Sequence, residues 1–393
     1  MKNIFTLSIL VFIIITVLSV DVLAIPAFAR KYNMSCKTCH EPFPKLKPYG
    51  NEFAGNGFQL KDKDAPRYYV DTGDDYLSLI RDVPLAMRLE GYVTYNQGNA
   101  EQSDFTAPIV FKLLSGGAIT KNIAYYVYYI LESGEPGKIE DAWLMFNNLF
   151  STELDFSIGQ FQVSDPLFKR ELRLTKDDYY IYKVKPGFSD VDLTYDRGIM
   201  LAYGFDTGTN FTLEIVNGNG IDEAFTSGDF DNDKYKNPFL TISQDVNDNI
   251  RIGAMGYAGK EEKEATNDPD FSAINEVWMV GADATIDLNP LQFNVQYVFR
   301  NDDNPYFYYT NPDKVKTQGS FAELIFRPDN GESHWYGVAL FNWIDSYESS
   351  LDLTQFTLHC GYLLRRNMRL ILEFTHNFTN EYGQVELGFV TAF

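Results

Sequence analysis

The last twelve residues of this chain constrain its fold more than any other segment, because their side chains alternate in character. Val385 and Leu387 fall on one face of the predicted strand, and Glu386 and Gly388 fall on the other, since successive side chains of a strand point in opposite directions. An alternating strand that closes on a terminal aromatic residue, here Phe393, is typical of the insertion signal of outer-membrane barrels. The segment therefore predicts a strand with one face in lipid and the other in a polar lumen.

The same two-residue period recurs from residue 85 onward, in segments of about ten residues that match transmembrane barrel strands. Sixteen such segments can be counted, and an even count is the rule for bacterial barrels. We therefore predict an all-β fold, a 16-stranded antiparallel outer-membrane β-barrel that occupies residues 81–393. The predicted strands begin near Leu85, Thr106, Asn122, Ile139, Leu154, Arg197, Asn210, Pro238, Asn249, Asn275, Leu291, Lys316, Ser333, Leu353, Asn367 and Tyr382.

The predicted connections alternate between short and long, which is the arrangement of periplasmic turns and extracellular loops in outer-membrane barrels. Both ends of the predicted barrel fall on the short-turn side. A soluble β-sandwich is the alternative, but that fold would not need the alternation. The short turns include Thr120–Asn122, Asp206–Thr209, Asn247–Asn249, Asn289–Pro290, Pro328–Gly331 and Arg365–Asn367, and the long loops are 164–190, 219–236, 260–273, 301–314 and 345–351.

Composition excludes several other classes of protein. The 393-residue chain carries a net charge of −21, so it lacks the excess of Lys and Arg that neutralises phosphates, and we expect no nucleic-acid partner. Aromatic residues make up 16% of the chain, too many for a disordered acidic tail. The mean hydropathy of −0.24 argues against a helical membrane protein but suits barrel strands, which are only half apolar.

The N-terminus has the pattern of a secretory signal. A positive start at Lys2 precedes an almost entirely apolar run from Ile4 to Val20, and small residues follow at Ala24, Ala27 and Ala29. This order of charge, apolar core and small residues predicts an export signal over residues 1–24. Cleavage can follow Ala24 or Ala29, and we favour Ala24. A retained membrane anchor is the alternative, although the run is slightly short for one.

Cys36, Cys39 and His40 form a CxxCH motif soon after the predicted signal. This spacing indicates c-type haem attachment, in which the two thiols form thioethers with the haem and the histidine becomes an axial iron ligand. A disulfide or half of a zinc site are the alternatives, but only one further cysteine, Cys360, is available. We therefore predict one covalent haem c on Cys36, Cys39 and His40, within a haem-binding plug over residues 25–80.

The residues after the motif form a short apolar stripe at helical spacing. Phe43, Leu46, Tyr49 and Phe53 recur every three or four residues, which predicts a small helical surface able to cover one face of a haem. Residues 25–63 also carry seven Lys and Arg against three Asp and Glu. We expect this basic segment to attract the acidic barrel that follows it.

The sixth iron ligand must come from elsewhere or be absent, because Met34 is tethered too close to Cys36 to reach across the haem. His359 falls on the lumen face of its predicted strand and is a possible distal ligand, whereas Cys360 falls on the lipid face. An ordinary polar lumen residue is the alternative reading of His359. Three methionines also fall on lumen faces: Met200, Met255 and Met279.

The stretch IPAFARKYNMSCKTCHEPFPKLKPYGNEFAGNGFQL, followed by a barrel, resembles the fused outer-membrane monohaem cytochrome c–porins, whose best-known members are iron oxidases. Residues 142–166, with Gly159-Gln160-Phe161, are similar to the phosphate-selective porin O/P group. The strongly acidic barrel departs from a phosphate-selective pore.

The resemblance implies electron transfer between an extracellular donor, first of all Fe(II), and a periplasmic c-type cytochrome, and hence an Fe(II) oxidase in the outer membrane of a Gram-negative bacterium. Two alternatives stay open: an electron exporter to extracellular acceptors, and a solute porin whose haem is structural. Acidic loops at Asp222-Glu223, Asp229–Asp233 and Asp302-Asp303 could concentrate cations through their field alone.

Overall fold

The computed structural model describes residues 27–60, 69–70, 72–74, 76–97, 102–132, 134–222 and 228–393. The predicted signal peptide lies outside the described residues. None of the helices in these ranges is long and apolar enough to cross a membrane.

The described part of the N-terminal segment is small and mostly helical. Its elements are helix α1 (Ala27–Tyr32), a 3₁₀ turn at Cys36–Thr38, helix α2 (Pro48–Gly55), and the short antiparallel pair β1 (Tyr69–Val70) and β2 (Leu79–Ile80).

The rest of the described chain forms a closed barrel of sixteen antiparallel strands, as the sequence predicts. Each strand pairs with its neighbours in the chain, and the last strand pairs with the first. Met87 and Phe393 exchange backbone hydrogen bonds, of 2.7 and 2.9 Å, at this closure. The strands are β3 (Leu85–Gln97), β4 (Ser103–Thr120), β5 (Ile123–Glu132), β6 (Lys138–Leu149), β7 (Leu154–Gln162), β8 (Tyr195–Gly204), β9 (Thr209–Val216), β10 (Asn237–Asn247), β11 (Ile250–Ala265), β12 (Asp268–Leu288), β13 (Leu291–Asp302), β14 (Val315–Phe326), β15 (Trp335–Ser346), β16 (Leu353–Arg365), β17 (Met368–Asn377) and β18 (Tyr382–Ala392).

The two faces of the barrel differ as the alternation predicts. On β17, Leu372 is 50% exposed on the outside, whereas its neighbour Glu373 is 1% exposed in the lumen. Leu358 and Leu387 are likewise exposed on the outer face of neighbouring strands. A closed barrel leaves no strand edge unpaired, and its apolar exterior needs lipid. The protein is therefore an outer-membrane barrel.

One predicted long loop is instead a strand hairpin. Residues 260–273 continue the ladder between β11 and β12, which pair until Ala265 faces Asp268. The prediction of a loop there was wrong. The many charged side chains of this segment indicate that it is exposed to water, but they do not prevent β11 and β12 from pairing. The other long connections agree with the structure, except that residues 223–227 of the 219–236 loop lie outside the described residues.

The longest connection, residues 163–194, folds back into the lumen and is called the inward loop below. Tyr179 stacks on Phe321 of β14, with ring centroids 4.1 Å apart. Tyr182 is fully buried and donates a hydrogen bond of 3.1 Å to Gln296 of β13. The loop thereby fills much of one side of the lumen.

Candidate functional site

The CxxCH motif folds as a tight turn that holds Cys36, Cys39 and His40 close together. The Cys39 and His40 amides donate hydrogen bonds to the Cys36 carbonyl, at 3.2 and 2.9 Å. Cys36 and Cys39 are both free thiols, so they are not joined in the alternative disulfide. Two free thiols beside an imidazole form a donor set that fits the covalent attachment of a haem.

The imidazole of His40 is held in one tautomer. Nδ1 donates a hydrogen bond of 2.6 Å to the Pro44 carbonyl, so the lone pair of the ring lies on Nε2. A backbone acceptor for the other ring nitrogen is the usual way in which a ligating histidine is oriented. Burial lowers the pKa of His40 to about 4, which keeps the ring in the neutral form that binds iron.

Helix α2 packs directly on the motif at a glycine. A Cβ at Gly50 would lie 2.3 Å from the Cys39 carbonyl oxygen. The Lys47 amide, at the start of the helix, also donates to that carbonyl at 2.9 Å. The close approach of helix and motif therefore requires a residue without a side chain at this position.

We expect Gly50→Ala to lower the amount of covalent haem per protein severalfold, because the added methyl group forces α2 away from Cys39. The measurement is the haem content of purified protein. Gly55→Ala is the matched control in the same helix, since a Cβ there meets no atom within 4 Å. Equal haem content in the two variants would contradict the packing argument.

An apolar cluster lies beside the motif. Tyr32 and Phe53 are buried at its centre, and the side chains of Phe28, Met34, Cys39, Phe58 and Leu60 pack against them. Of the predicted apolar stripe, Phe53 is buried as expected, whereas Tyr49 is 41% exposed. Tyr49 turns outward because the first turn of α2 buries Gly50 against the motif.

Residues 27–60, called the plug below, contact one side of the periplasmic mouth through their last residues. Asn147 of β6 donates a hydrogen bond of 3.0 Å from Nδ2 to the Asn56 carbonyl. The Phe58 ring lies 5.3 Å from the Tyr126 ring and 6.3 Å from the Trp143 ring, measured between centroids. These contacts fix the plug to β5 and β6.

The plug also reaches the opposite wall. Lys37 pairs with Glu332 in the turn between β14 and β15, and Lys45 lies within the field of Asp287 and Glu323, although burial lowers the Lys45 pKa. In a ring of sixteen strands, β12 with Asp287 and β14 with Glu323 each lie seven strands from β5. The plug therefore crosses the periplasmic mouth, and its basic side chains face acidic ones of the barrel as expected.

His359 lies on the lumen face and Cys360 is exposed on the outer face, as the alternation predicts. His359 is buried in a polar network: Nδ1 lies 2.8 Å from Glu373 Oε2, and Nε2 lies 3.3 Å from the Tyr336 hydroxyl. That hydroxyl in turn accepts a hydrogen bond of 2.6 Å from Arg369. Ligation of iron by Nε2 would therefore require His359 to release Tyr336.

The three lumen methionines lie away from open space. Met255 and Met279 are 5% and 3% exposed and belong to the apolar cluster that the inward loop covers, and Met200 packs against it. Their positions on the lumen face agree with the sequence analysis. In this structure they stabilise the seat of the inward loop.

A cavity of about 630 Å³ lies in the lumen between the inward loop and the wall formed by β3–β6, β17 and β18. Its lining is dominated by charged side chains of both signs: Arg88, Glu90, Lys112, Glu132, Lys138, Glu140, Arg170, Glu171, Arg173, Lys176, Asp177, Asp178, Lys183, Asp192, Arg369, Glu373 and Glu386. Many of these groups are paired, for example Lys112 with Glu171 and Arg170 with Asp178. The cavity is therefore polar and densely charged, without a large excess of either sign.

Within the described ranges, no group of three or more His, Cys, Asp or Glu side chains is arranged to hold a metal ion. Of the predicted acidic loops, Asp302 is fully buried and bonded to Arg300, so it does not contribute to an acidic surface. Asp222 pairs with Lys138 near the cavity.

The inward loop was not predicted to form a wall of this site. Residues 164–190 were predicted to be an extracellular loop, and for this reason their place in the lumen was missed. The apolar and aromatic segment Tyr179-Tyr180-Ile181-Tyr182 is unusual for an exposed loop and could have indicated burial. The lumen aromatics Tyr126, Tyr128 and Trp143 were missed because alternation gives their face but not their partners.

No protein-family model and no curated protein matches the sequence. Among solved structures, the chain is similar to the anion-selective porin of Comamonas acidovorans, with a TM-score of 0.57, 11% identity, and coverage of 79% of this chain and 99% of that one. It is also similar to a loop-deletion mutant of OmpT from Vibrio cholerae, with a TM-score of 0.54, 12% identity, and coverage of 79% and 99%. The channel DcaP of Acinetobacter baumannii matches with a TM-score of 0.54, 13% identity, and coverage of 79% and 97%. The barrel therefore has the porin fold.

Proposed function

We propose that this protein is an outer-membrane cytochrome–porin that transfers electrons between an extracellular donor and a periplasmic c-type cytochrome. Fe(II) is the donor that we propose. The observation that carries the proposal is the position of the CxxCH motif in a plug across the periplasmic mouth of a porin-type barrel. A redox group at that position would face the periplasm on one side and the lumen on the other.

The residues of the plug supply what a covalent haem needs. Cys36 and Cys39 would hold it by thioethers, and His40 would bind the iron through Nε2 while Nδ1 stays on the Pro44 carbonyl. A haem of this kind supplies one-electron transfer. The aromatic cluster around Phe53 would exclude water from one side of it, which is one of the protein's means of tuning a haem potential.

The donor side needs no tight iron site. Fe(II) that gives up an electron becomes Fe(III), which is poorly soluble, so a strong ligand set would retain the product. The lumen cavity instead offers dispersed carboxylates, such as Glu132 and Glu140, among basic side chains. Because acidic and basic side chains are nearly balanced there, such a lining would not retain a small hydrated cation tightly.

His359 stays a candidate for the sixth iron ligand. The absorption spectrum of the haem in a His359 variant tests this assignment. If His359 binds the iron, His359→Ala should convert a low-spin spectrum to a high-spin or water-ligated one. If the Glu373 and Tyr336 contacts are its whole role, the spectrum should stay unchanged. His334→Ala is the control, because that ring lies at a periplasmic turn and bonds the Leu363 carbonyl at 3.0 Å.

The function itself is tested in proteoliposomes with the purified full-length protein in one known orientation. We expect an iron(II) salt added on the extracellular side to reduce the haem rapidly, and high salt to slow this reduction by screening. Reduction only by donors on the periplasmic side would favour the electron exporter. Free ion flow without reduction from either side would favour the solute porin with a structural haem.

A further inference from the structure

A continuous series of aromatic rings leads from the plug into the lumen. The Phe28 and Phe58 rings stack at 4.6 Å, and Phe58 lies 5.3 Å from Tyr126. Tyr126 lies 5.5 Å from Trp143 and 6.3 Å from Tyr128. All of these separations are within the range of direct ring packing, so no gap interrupts the series.

The plug end of the series adjoins the haem motif. Cys39 packs in the same apolar cluster as Phe28, Phe53 and Phe58. The Phe28 ring also lies 5.5 Å from the Phe53 ring, in an edge-to-face contact. A group attached at Cys39 would therefore border the first rings of the series.

The lumen end of the series adjoins the charged cavity. The Tyr128 hydroxyl donates a hydrogen bond of 3.1 Å to Glu171 of the inward loop, and the Lys112 ammonium lies 5.0 Å from the centre of the Tyr128 ring. Glu171 and Lys112 both line the cavity. Because Tyr126 and Tyr128 are two residues apart on one strand face, the second ring lies further into the barrel, with its centroid 6.3 Å from that of the first.

We propose that Phe58, Tyr126, Trp143 and Tyr128 form the path along which an electron passes between a small one-electron donor in the lumen cavity and the haem motif. This inference rests on the function proposed above. The donor would lose one electron, as Fe(II) does when it becomes Fe(III), and a haem held by Cys36, Cys39 and His40 would accept it. The rings are a tunnelling medium and not redox intermediates, so none of them is oxidised in this step.

The thickness of the membrane is the reason why such a path is needed. The hydrocarbon core is about 30 Å thick, and the plug lies at its periplasmic end. A donor outside the cell is therefore too far from the motif for one efficient transfer. A donor that enters the cavity reaches Glu171 and Lys112, which both contact Tyr128, and electronic coupling falls less steeply through packed atoms than through water.

The test compares haem reduction by an iron(II) salt, added on the extracellular side, in full-length variants. We expect Tyr126→Leu to lose the fast phase of reduction, and Tyr126→Phe to retain it because the ring remains. Trp143→Leu should slow reduction less than Tyr126→Leu, because the contact of 5.3 Å between the Phe58 and Tyr126 rings remains. The midpoint potential and the absorption spectrum should not change in any of them. Phe146→Leu is the matched control, since Phe146 lies on the outer face of the same strand as Trp143.

A second measurement does not depend on electron transfer. The emission of Trp143, taken as the difference between the parent protein and its Trp143→Phe variant, should be quenched in the haem-loaded protein and restored in the haem-free Cys36→Ala/Cys39→Ala protein. Equal emission in both states would place the haem away from the ring series and overturn the inference.

The two proposals fail in different ways. If the parent protein is not reduced from the extracellular side, the proposed function fails. If the parent is reduced and both leucine variants are reduced equally fast, or if their slower reduction follows a shifted potential, the path fails while the function stands.

Discussion

The double variant Cys36→Ala/Cys39→Ala is expected to lose covalent haem entirely, because no thioether can then form. The barrel should still fold, because both thiols belong to the plug and take no part in the hydrogen bonds between the barrel strands. The measurement is haem-associated absorbance in the denatured protein, in which only covalent haem stays with the chain. Cys39→Ala alone should lose the normal two-thioether attachment.

Cys360→Ala is the matched control for this experiment. Cys360 is the third cysteine of the chain and is exposed on the outer face of β16, so its removal should leave the haem content at the level of the parent protein. Haem bound as tightly in the double variant as in the parent would overturn the assignment of the motif.

The barrel could be predicted because its signal is local. Alternation on a strand follows from the side-chain period, so the two-residue pattern alone correctly separated Glu373 from Leu372 and His359 from Cys360. Predicted strand starts fall within a few residues of the observed ones, except at β12. There the ladder begins at Asp268 and not near Asn275, because a two-stranded extension in water can carry charges on both faces.

The lumen could not be predicted because its contacts join distant parts of the chain. Glu373 accepts hydrogen bonds of 2.8 and 2.9 Å from the amides of Lys176 and Asp177, which lie almost two hundred residues earlier. Nothing in the loop sequence encodes that partner. The same holds for Phe58, whose place between Tyr126 and Trp143 depends on how the plug enters the mouth.

The basic charge of the plug was predicted to attract the barrel, and the structure gives this attraction specific partners. Lys37 pairs with Glu332 at an exposed turn, where an ion pair contributes little to stability. Lys45 is half-buried within the field of Glu323 and Asp287. We therefore assign the position of the plug mainly to the packing of Phe58 on Tyr126 and Trp143, and only secondarily to the two lysines.

Removal of the plug is expected to raise the ion conductance of the barrel severalfold. In the intact protein the plug crosses the periplasmic mouth from β5 and β6 to the turn at Glu332, so ions must pass around it. Deletion of residues 27–60 would leave the inward loop as the narrowest part of the lumen, beside a cavity of about 630 Å³. Single-channel recording in planar bilayers measures the change.

The control for this deletion is the full-length Cys36→Ala/Cys39→Ala protein, which lacks the haem but keeps the plug. If the plug itself closes the mouth, the haem-free protein should conduct as little as the parent, and only the deletion should open the pore. If the haem-free protein conducts as much as the deletion variant, the haem and not the plug is the barrier. Equal conductance in all three proteins would mean that ions pass the mouth freely, and the solute-porin alternative would then gain support.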